Sequence, residues 1–249
     1  MLISANAIVL KTIPYGDSSI ISRLFTEDQG KITVMAKGAW RPKKTTGPLL
    51  EPMNHIHLQY YHKNSRDIQI LKDVGLIHQF SILRSKLDRI ILGQTVVEAL
   101  DKSTPASHSF PILYRLGWRV LDKLNNADVN FWLVFAFYLY QLSLRLGFMP
   151  NLKTCCQCKS IFSHAFIDDQ TGELICHNCG PQSKLSLNKN SIIFLQKLEN
   201  LHLDDICTNK NNTVEMNNAI RFLEIFTCIH LEGMNKVRSL NMLHKLLKQ

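Results

Sequence analysis

No stretch of this sequence is long and apolar enough to cross a membrane, and acidic residues are scarce. The longest apolar run, "FWLVFAFYLY", is about half a membrane span and gives way to Gln141 and Arg145. It reads as a buried core helix. No basic-then-apolar leader opens the chain, because Lys11 and Asp17 interrupt "MLISANAIVLKTIPYGDSS" too early. The expectation is a cytoplasmic protein, in which thiols stay reduced. The phosphate loop G-x-x-x-x-G-K-[ST], the G-x-S-x-G elbow and H-E-x-x-H are all missing. The 20 acidic residues are scattered, with Asp168–Asp169 in a turn and Asp204–Asp205 in a loop. Nothing resembles the carboxylate cluster of a two-metal nuclease. These absences point to a protein that is not an enzyme, with no catalytic residues. Internal repeats and low-complexity linkers are also missing, which excludes a solenoid or a disordered chain.

What is present is a basic excess on a chain able to build a core. Lys and Arg number 29, the formal net charge is +9 at pH 7, and 45% of the 249 residues are hydrophobic. Such a charge invites a polyanionic partner, but only its placement can show one.

The first eighty residues read as β-structure. "NAIVLKTI", "SSIISRLFT" and "KITVMAKGA" are apolar-rich segments separated by turn chemistry at Gly16–Asp17 and at Gly30. "HIHLQYY" alternates, with Ile56, Leu58 and Tyr60 on one face and His55, His57 and Gln59 on the other. "IQILKDVGLI" is a fifth strand after the turn "KNSRD". Five short strands joined mostly by tight turns predict a small closed barrel. The one long connection is "KGAWRPKKTTGPLLEP".

After Gln79 the period becomes helical. Phe80, Leu83, Leu87, Ile90, Ile91 and Leu100 recur at helix spacing. A second helix carries Leu113, Leu116, Val120, Leu121 and Leu124. A third, about Val129 to Leu146, is apolar nearly all round and belongs in the centre of a bundle, stopped by Gly147 and Pro150. Helices resume near Ser191 and from about Thr213 to Leu231. The predicted class is α+β.

Five of the seven cysteines fall between Cys155 and Cys179, an excursion from the helical pattern. Cys155 and Cys158 form one C-x-x-C pair, and Cys176 and Cys179 form another after seventeen intervening residues. That is the spacing of a four-cysteine zinc site. "HAFID" and "GELIC" fit antiparallel strands reversed at "DDQTG", with Gly172 in the tight position, which gives a zinc ribbon. Four thiolates fill a tetrahedral shell and leave no place for water, so one structural Zn2+ is expected. A thioredoxin-like redox pair would need an α/β unit, and none is visible. Cys156 competes with Cys155 as a ligand; His164 and His177 lie off the paired register. Cys207 and Cys228 stand alone in helical context and read as ordinary buried thiols.

"KGAWRPKK" is the densest cationic stretch, with Lys37, Arg41, Lys43 and Lys44 and no acid between Lys31 and Glu51. Trp40 sits among them. Cations that follow phosphates beside an aromatic that stacks a base are the ingredients of single-strand recognition. The alternative for Trp40 is a ring tucked against the barrel. Lys11, Arg23 and Lys31 extend the patch if they share its face. Near the end of the chain, Lys236, Arg238, Lys245 and Lys248 fit either a terminal helix with a solvated face or a dock for an acidic peptide.

Taken together, "ANAIVLKTIPYGDSSIISRLFTEDQGKITVMAKGAWRPKK", "GPLLEP", "HIHLQYY", the segment "CCQCKSIFSHAFIDDQTGELICHNC" and "FTCIHLEG" resemble the RecO family of bacterial recombination mediators. The resemblance implies an N-terminal OB-fold barrel over residues 1–80. It implies a helical domain over 81–249 bearing a zinc ribbon at about 151–183. It also implies a cytoplasmic, nucleoid-associated protein that binds single- and double-stranded DNA and anneals complementary strands. With RecR, such a protein helps load RecA onto single strands coated by SSB, whose acidic C-terminal tail is a docking partner. Lys37, Arg41, Lys43 and Lys44 match the family's basic barrel positions, whereas Trp40 departs from the basic or small residue usual there. Two other classes fit the same residues. A zinc-ribbon factor of transcription or RNA metabolism would bind selectively by sequence or to RNA. A protein-docking scaffold would use the basic loop on an acidic protein.

Overall fold

The computed structural model describes residues 1–41, 44–105, 108–168, 170–180, 185–206, 213–237, 239–240 and 242. The chain forms two compact units, Met1–Asn125 and Asn126–Gln249.

In the first unit β1 (Leu2–Tyr15), β2 (Ser19–Thr26), β3 (Gly30–Ala36), β4 (His55–Tyr61) and β5 (Ile68–His78) close a barrel in the order β1-β2-β3-β5-β4. All neighbours are antiparallel except β3 and β5. The period-2 pattern turns Ala7, Val9, Ile20, Leu24, Val34, Ile56, Leu58 and Tyr60 into a buried interior. β1 is long enough to pair with both β2 and β4, and a bulge between Val9 and Lys11 lets it bend around the barrel. Gly16 and Gly30 make the hairpin turns at positive φ.

A short helix α1 (Thr46–Leu49) lies in the long β3–β4 connection, and α2 (Leu87–Ser103) and α3 (Pro111–Leu124) follow the barrel. These two helices belong by contact to the barrel's unit. α3 sits over the outer face of the sheet, where Ile8 pairs with both Phe25 and His55. Gly117 lets the helix approach closely, since a Cβ there would lie 3.1 Å from Ile8 Cδ1 and 2.5 Å from Leu100. His55, on the outward side of β4 by alternation, is therefore only 5% exposed.

The helical period expected from Phe80 onward breaks at Lys86. A 3-10 turn at Leu83–Ser85 is followed by extended backbone at Lys86 before α2 begins. The break resets the helix face. Leu87 is 62% exposed, and Arg89 takes the core position at 3%. Its guanidinium remains satisfied in part because Nη1 donates to the Leu124 carbonyl at the end of α3 (2.9 Å).

In the second unit α4 (Phe131–Arg145) is buried on almost every side, as its composition requires. It ends at Gly147 with φ 82° and a Phe148 N–H bond to Ser143 O. β6 (Ala165–Ile167) and β7 (Leu174–Ile175) are the expected hairpin, reversed at Gly172 with φ 70°. A third strand, β8 (Ser186–Leu187), pairs with β6 and is too short to leave a periodic signal in the sequence. α5 (Lys189–Glu199) and α6 (Val214–His230) start at Asn188 and Thr213, whose side chains accept from Ser191 N and Met216 N. No helix among the described residues is long and apolar enough to cross a membrane.

Candidate nucleic-acid interface and metal centre

Two short turns bring the cysteines together. Asn151 Oδ1 accepts from Lys153 N and Thr154 N, setting up the first loop. Cys155 N bonds Ser160 O and Lys159 N bonds Cys155 O, which curls the chain around the first pair. Lys159 completes that curl at φ 61°. In the second loop, Cys179 N and Gly180 N both bond Cys176 O. The Sγ atoms of Cys155, Cys158, Cys176 and Cys179 all lie within 4.8 Å of one another.

Two observations test whether a tetrahedral ion fits this set. Cys158 Sγ and Cys176 Sγ are 3.6 Å apart. A tetrahedron with metal–sulfur bonds of about 2.3 Å has edges of about 3.8 Å. Cys176 N–H also points at Cys155 Sγ at 3.4 Å, the kind of bond that favours a thiolate. Cys158 is drawn down to about 6, first by the hydroxyl of Ser160 at 3.0 Å. The four sulfurs can hold a metal ion. Cys156 is not among them. Burial and Glu173 push its thiol up to about 11, and it packs in the small core of the ribbon with Phe162 and Phe166. His164 and His177 flank Phe166 and take no part in the cluster. Cys228 lies half-buried on α6, raised to about 11 by burial, and Cys207 is outside the described residues.

The basic loop leaves β3 at Lys37 and is stitched down rather than loose. Gly38 N donates to Ser19 Oγ (3.2 Å) and Trp40 N to Ser18 O (3.0 Å), tying the loop to the β1–β2 turn. Arg41 N bonds Gly38 O, Lys44 N bonds Arg41 O, and Gly47 N bonds Ala39 O. Lys37, Arg41 and Lys44 are exposed, and none forms an ion pair with a described residue. Lys43 lies outside the described residues.

Trp40 combines the two expected alternatives. One face of its ring lies on Gly47, where a Cβ would come within 2.7 Å of Cε3 and Cζ3. The residue is nevertheless 53% exposed. It is a ring supported from below and open to solvent. Tyr15, which pairs with Ser19 at the same turn, is exposed beside this loop. It ends a strand in the sequence and carries no charge, so nothing there marks it.

The remaining predicted cations divide. Lys11 is exposed on β1, opposite Arg23 in register. Arg23 and Lys31 turn instead toward Asp101 of α2. Arg23 Nη1 reaches both Asp101 oxygens (3.1 and 2.9 Å), and Lys31 Nζ donates to the Asp101 carbonyl at 2.7 Å. Burial lowers Lys31, opposed by the Asp101 carboxylate. Arg238, Lys245, Lys248 and the side chain of Lys236 lie outside the described residues.

Comparison with known proteins agrees with this arrangement. The family model "Recombination protein O N terminal" matches residues 1–80, and "Recombination protein O C terminal" matches 84–239. The DNA repair protein RecO of Salinibacter ruber is 37% identical over 149 residues, 60% of this chain and 57% of its own. That of Pelodictyon phaeoclathratiforme is 30% identical over 155 residues, 62% of this chain and 59% of its own. That of Syntrophomonas wolfei is 24% identical over 200 residues, 80% of this chain and 79% of its own. The chain thus spans less than two thirds of the first two relatives. With a five-stranded barrel, a clustered set of four cysteines and both family models matched in order, the chain belongs to the recombination protein O (RecO) family of DNA repair proteins.

Proposed function

We propose that this protein is a non-enzymatic mediator of DNA repair and homologous recombination in the bacterial cytoplasm, associated with the nucleoid. It binds single- and double-stranded DNA through the barrel of residues 1–80 and anneals complementary strands. With RecR it helps load RecA onto SSB-coated single strands, docking the acidic tail of SSB on the helical portion of residues 81–249. Zn2+ held by Cys155, Cys158, Cys176 and Cys179 acts as a structural staple of the ribbon at about 151–183, supplying folding free energy and no chemistry of its own. The ion would cross-link two loops that have little core between them.

The observation that carries the DNA reading is the anchored loop of residues 37–44. It presents three described cations, without a neighbouring ion pair, around a half-exposed indole. Cations fixed by backbone hydrogen bonds meet phosphates with little ordering cost. Neutralising phosphates on two strands lowers the repulsion that opposes their approach, which is what annealing without nucleotide hydrolysis needs. Lys11 extends the patch. Arg23 and Lys31 reach DNA only by giving up Asp101.

The test is single-strand binding over a salt series, wild type against Lys37→Ala/Arg41→Ala/Lys43→Ala/Lys44→Ala. Each lost phosphate contact flattens the log–log slope by about 0.7, so complete engagement predicts a change of about 3. An unchanged slope with an intact fold would move the DNA off this loop and favour protein docking there. Preference for RNA over DNA in the same assay would favour the RNA-factor class.

A further inference from the structure

Strand register reveals a feature on the barrel that no single segment of sequence displays. Ile13 on β1 pairs with Ile21 on β2, Ile21 with Met35 on β3, and Met35 with Ile70 on β5. Directly paired residues share a face of the sheet. The neighbours of these four along each strand, Ile20, Val34 and Ala36 among them, belong to the barrel interior, so the four point outward. Ile13 is 44% exposed, and Ile21, Met35 and Ile70 are each partly exposed. The row continues from Ile70 to the exposed Tyr61 of β4. An apolar stripe crosses four neighbouring strands and covers about 14 Å at the usual strand spacing.

The surroundings of the stripe are cationic. On one side, two residues along β1, lies the exposed Lys11. On the other side β1 ends at the exposed Tyr15, and β3 runs out into Lys37 and the loop that carries Trp40, Arg41 and Lys44. The outer face farther along the sheet, at Phe25, Ile8 and His55, is already occupied by α3. The stripe is the part of that face that α2 and α3 leave open.

We infer that this open face receives the bases of a single nucleic-acid strand along Ile13, Ile21, Met35 and Ile70, and so makes the barrel discriminate single strands from duplex. The inference rests on the DNA-binding reading above and adds to it the surface that contacts bases. Charge complementarity selects the occupant: an apolar strip between two sets of cations fits a polyanion whose backbone follows the cations and whose flat apolar faces lie between them. A duplex offers the phosphates but keeps its base faces stacked inside. Only an unstacked strand can bury bases on the stripe, and that burial releases no counterions.

The experiment measures binding of the full-length protein to three labelled probes: an oligothymidylate, an abasic strand of equal length, and a duplex. Wild type is expected to bind the oligothymidylate about tenfold more tightly than the abasic strand, the scale of about one buried apolar side chain. Ile13→Thr/Met35→Thr, which keeps β-compatible residues on an exposed face, should remove most of that tenfold. It should leave affinity for the abasic strand and duplex within about twofold and the salt slope unchanged. Equal wild-type affinity for thymidylate and abasic strands would overturn the inference without any variant having to fold. So would an unchanged thymidylate affinity in a folded variant, which would make the stripe a protein-docking surface, or an equal loss on all three probes. The four-cation variant separates the two readings. A flattened slope there with no effect of the stripe variant keeps DNA on the barrel and removes only the base-contact inference; no effect of either variant removes both.

Discussion

Acid should destabilise this protein through a single buried histidine, and the size of the effect follows from its surroundings. His55 Nε2 is 2.7 Å from the Tyr114 hydroxyl, Nδ1 has no hydrogen-bond partner, and the rings of Trp118 and His78 stack against it. A proton added there would be charged, desolvated and next to a second imidazole. Burial first, and His78 second, lower the His55 pKa from 6.5 to about 4. In the unfolded chain the group takes its proton near 6.5, but in the folded chain only near 4. The unfolded state therefore binds more protons across that interval, and stability is lost as pH falls from about 6.5 toward 4. At about 1.4 kcal/mol per pH unit the full loss is about 3 kcal/mol, a large part of a typical domain's stability. Urea unfolding at pH 7 and pH 4 should show it as a difference between wild type and His55→Gln. Glutamine keeps a polar partner for Tyr114 but does not titrate, so acid effects on carboxylates and on the cysteine cluster cancel in the comparison. Wild type should lose about 3 kcal/mol more than the variant between the two pH values. Parallel losses in the two proteins would refute the reasoning.

Two further outcomes are expected. One metal ion per chain should be found by elemental analysis; Cys176→Ser should abolish it and unfold the ribbon, whereas Cys156→Ser should leave the stoichiometry unchanged, because Cys156 lies outside the sulfur cluster. Gly47→Ala should push the Trp40 ring off its support, since the new Cβ would meet it at 2.7 Å, and the tryptophan emission should shift to the red with little loss of stability.

Much of the site was legible because it is local. The C-x-x-C pairs, the Gly172 reversal and the cationic run are each contained in a few residues, and their chemistry depends on spacing along the chain. The five strands and the apolar α4 were legible for a related reason: periodicity records which faces are buried. What escaped depends on a partner from elsewhere. Arg23 and Lys31 look like free cations until α2 places Asp101 against them. His55 sits on the polar side of an alternating strand, yet α3 buries it. Trp40 could not be assigned from its neighbours in sequence because its support is Gly47, across the loop.

The boundary between the two kinds of knowledge runs along the range of the forces involved. Sequence alone determined the α+β class, the barrel's inward residues, the four sulfurs that meet, and the loop where positive charge gathers. Those outcomes follow from backbone periodicity, ligand geometry and turn chemistry, all of which act within a segment. Tertiary structure decided which cations remain free, which histidine cannot accept a proton, and that Ile13, Ile21, Met35 and Ile70 join into one stripe. Each of those depends on register and packing between segments distant in the chain, where a shift of one residue would turn every side chain of a strand to the opposite face.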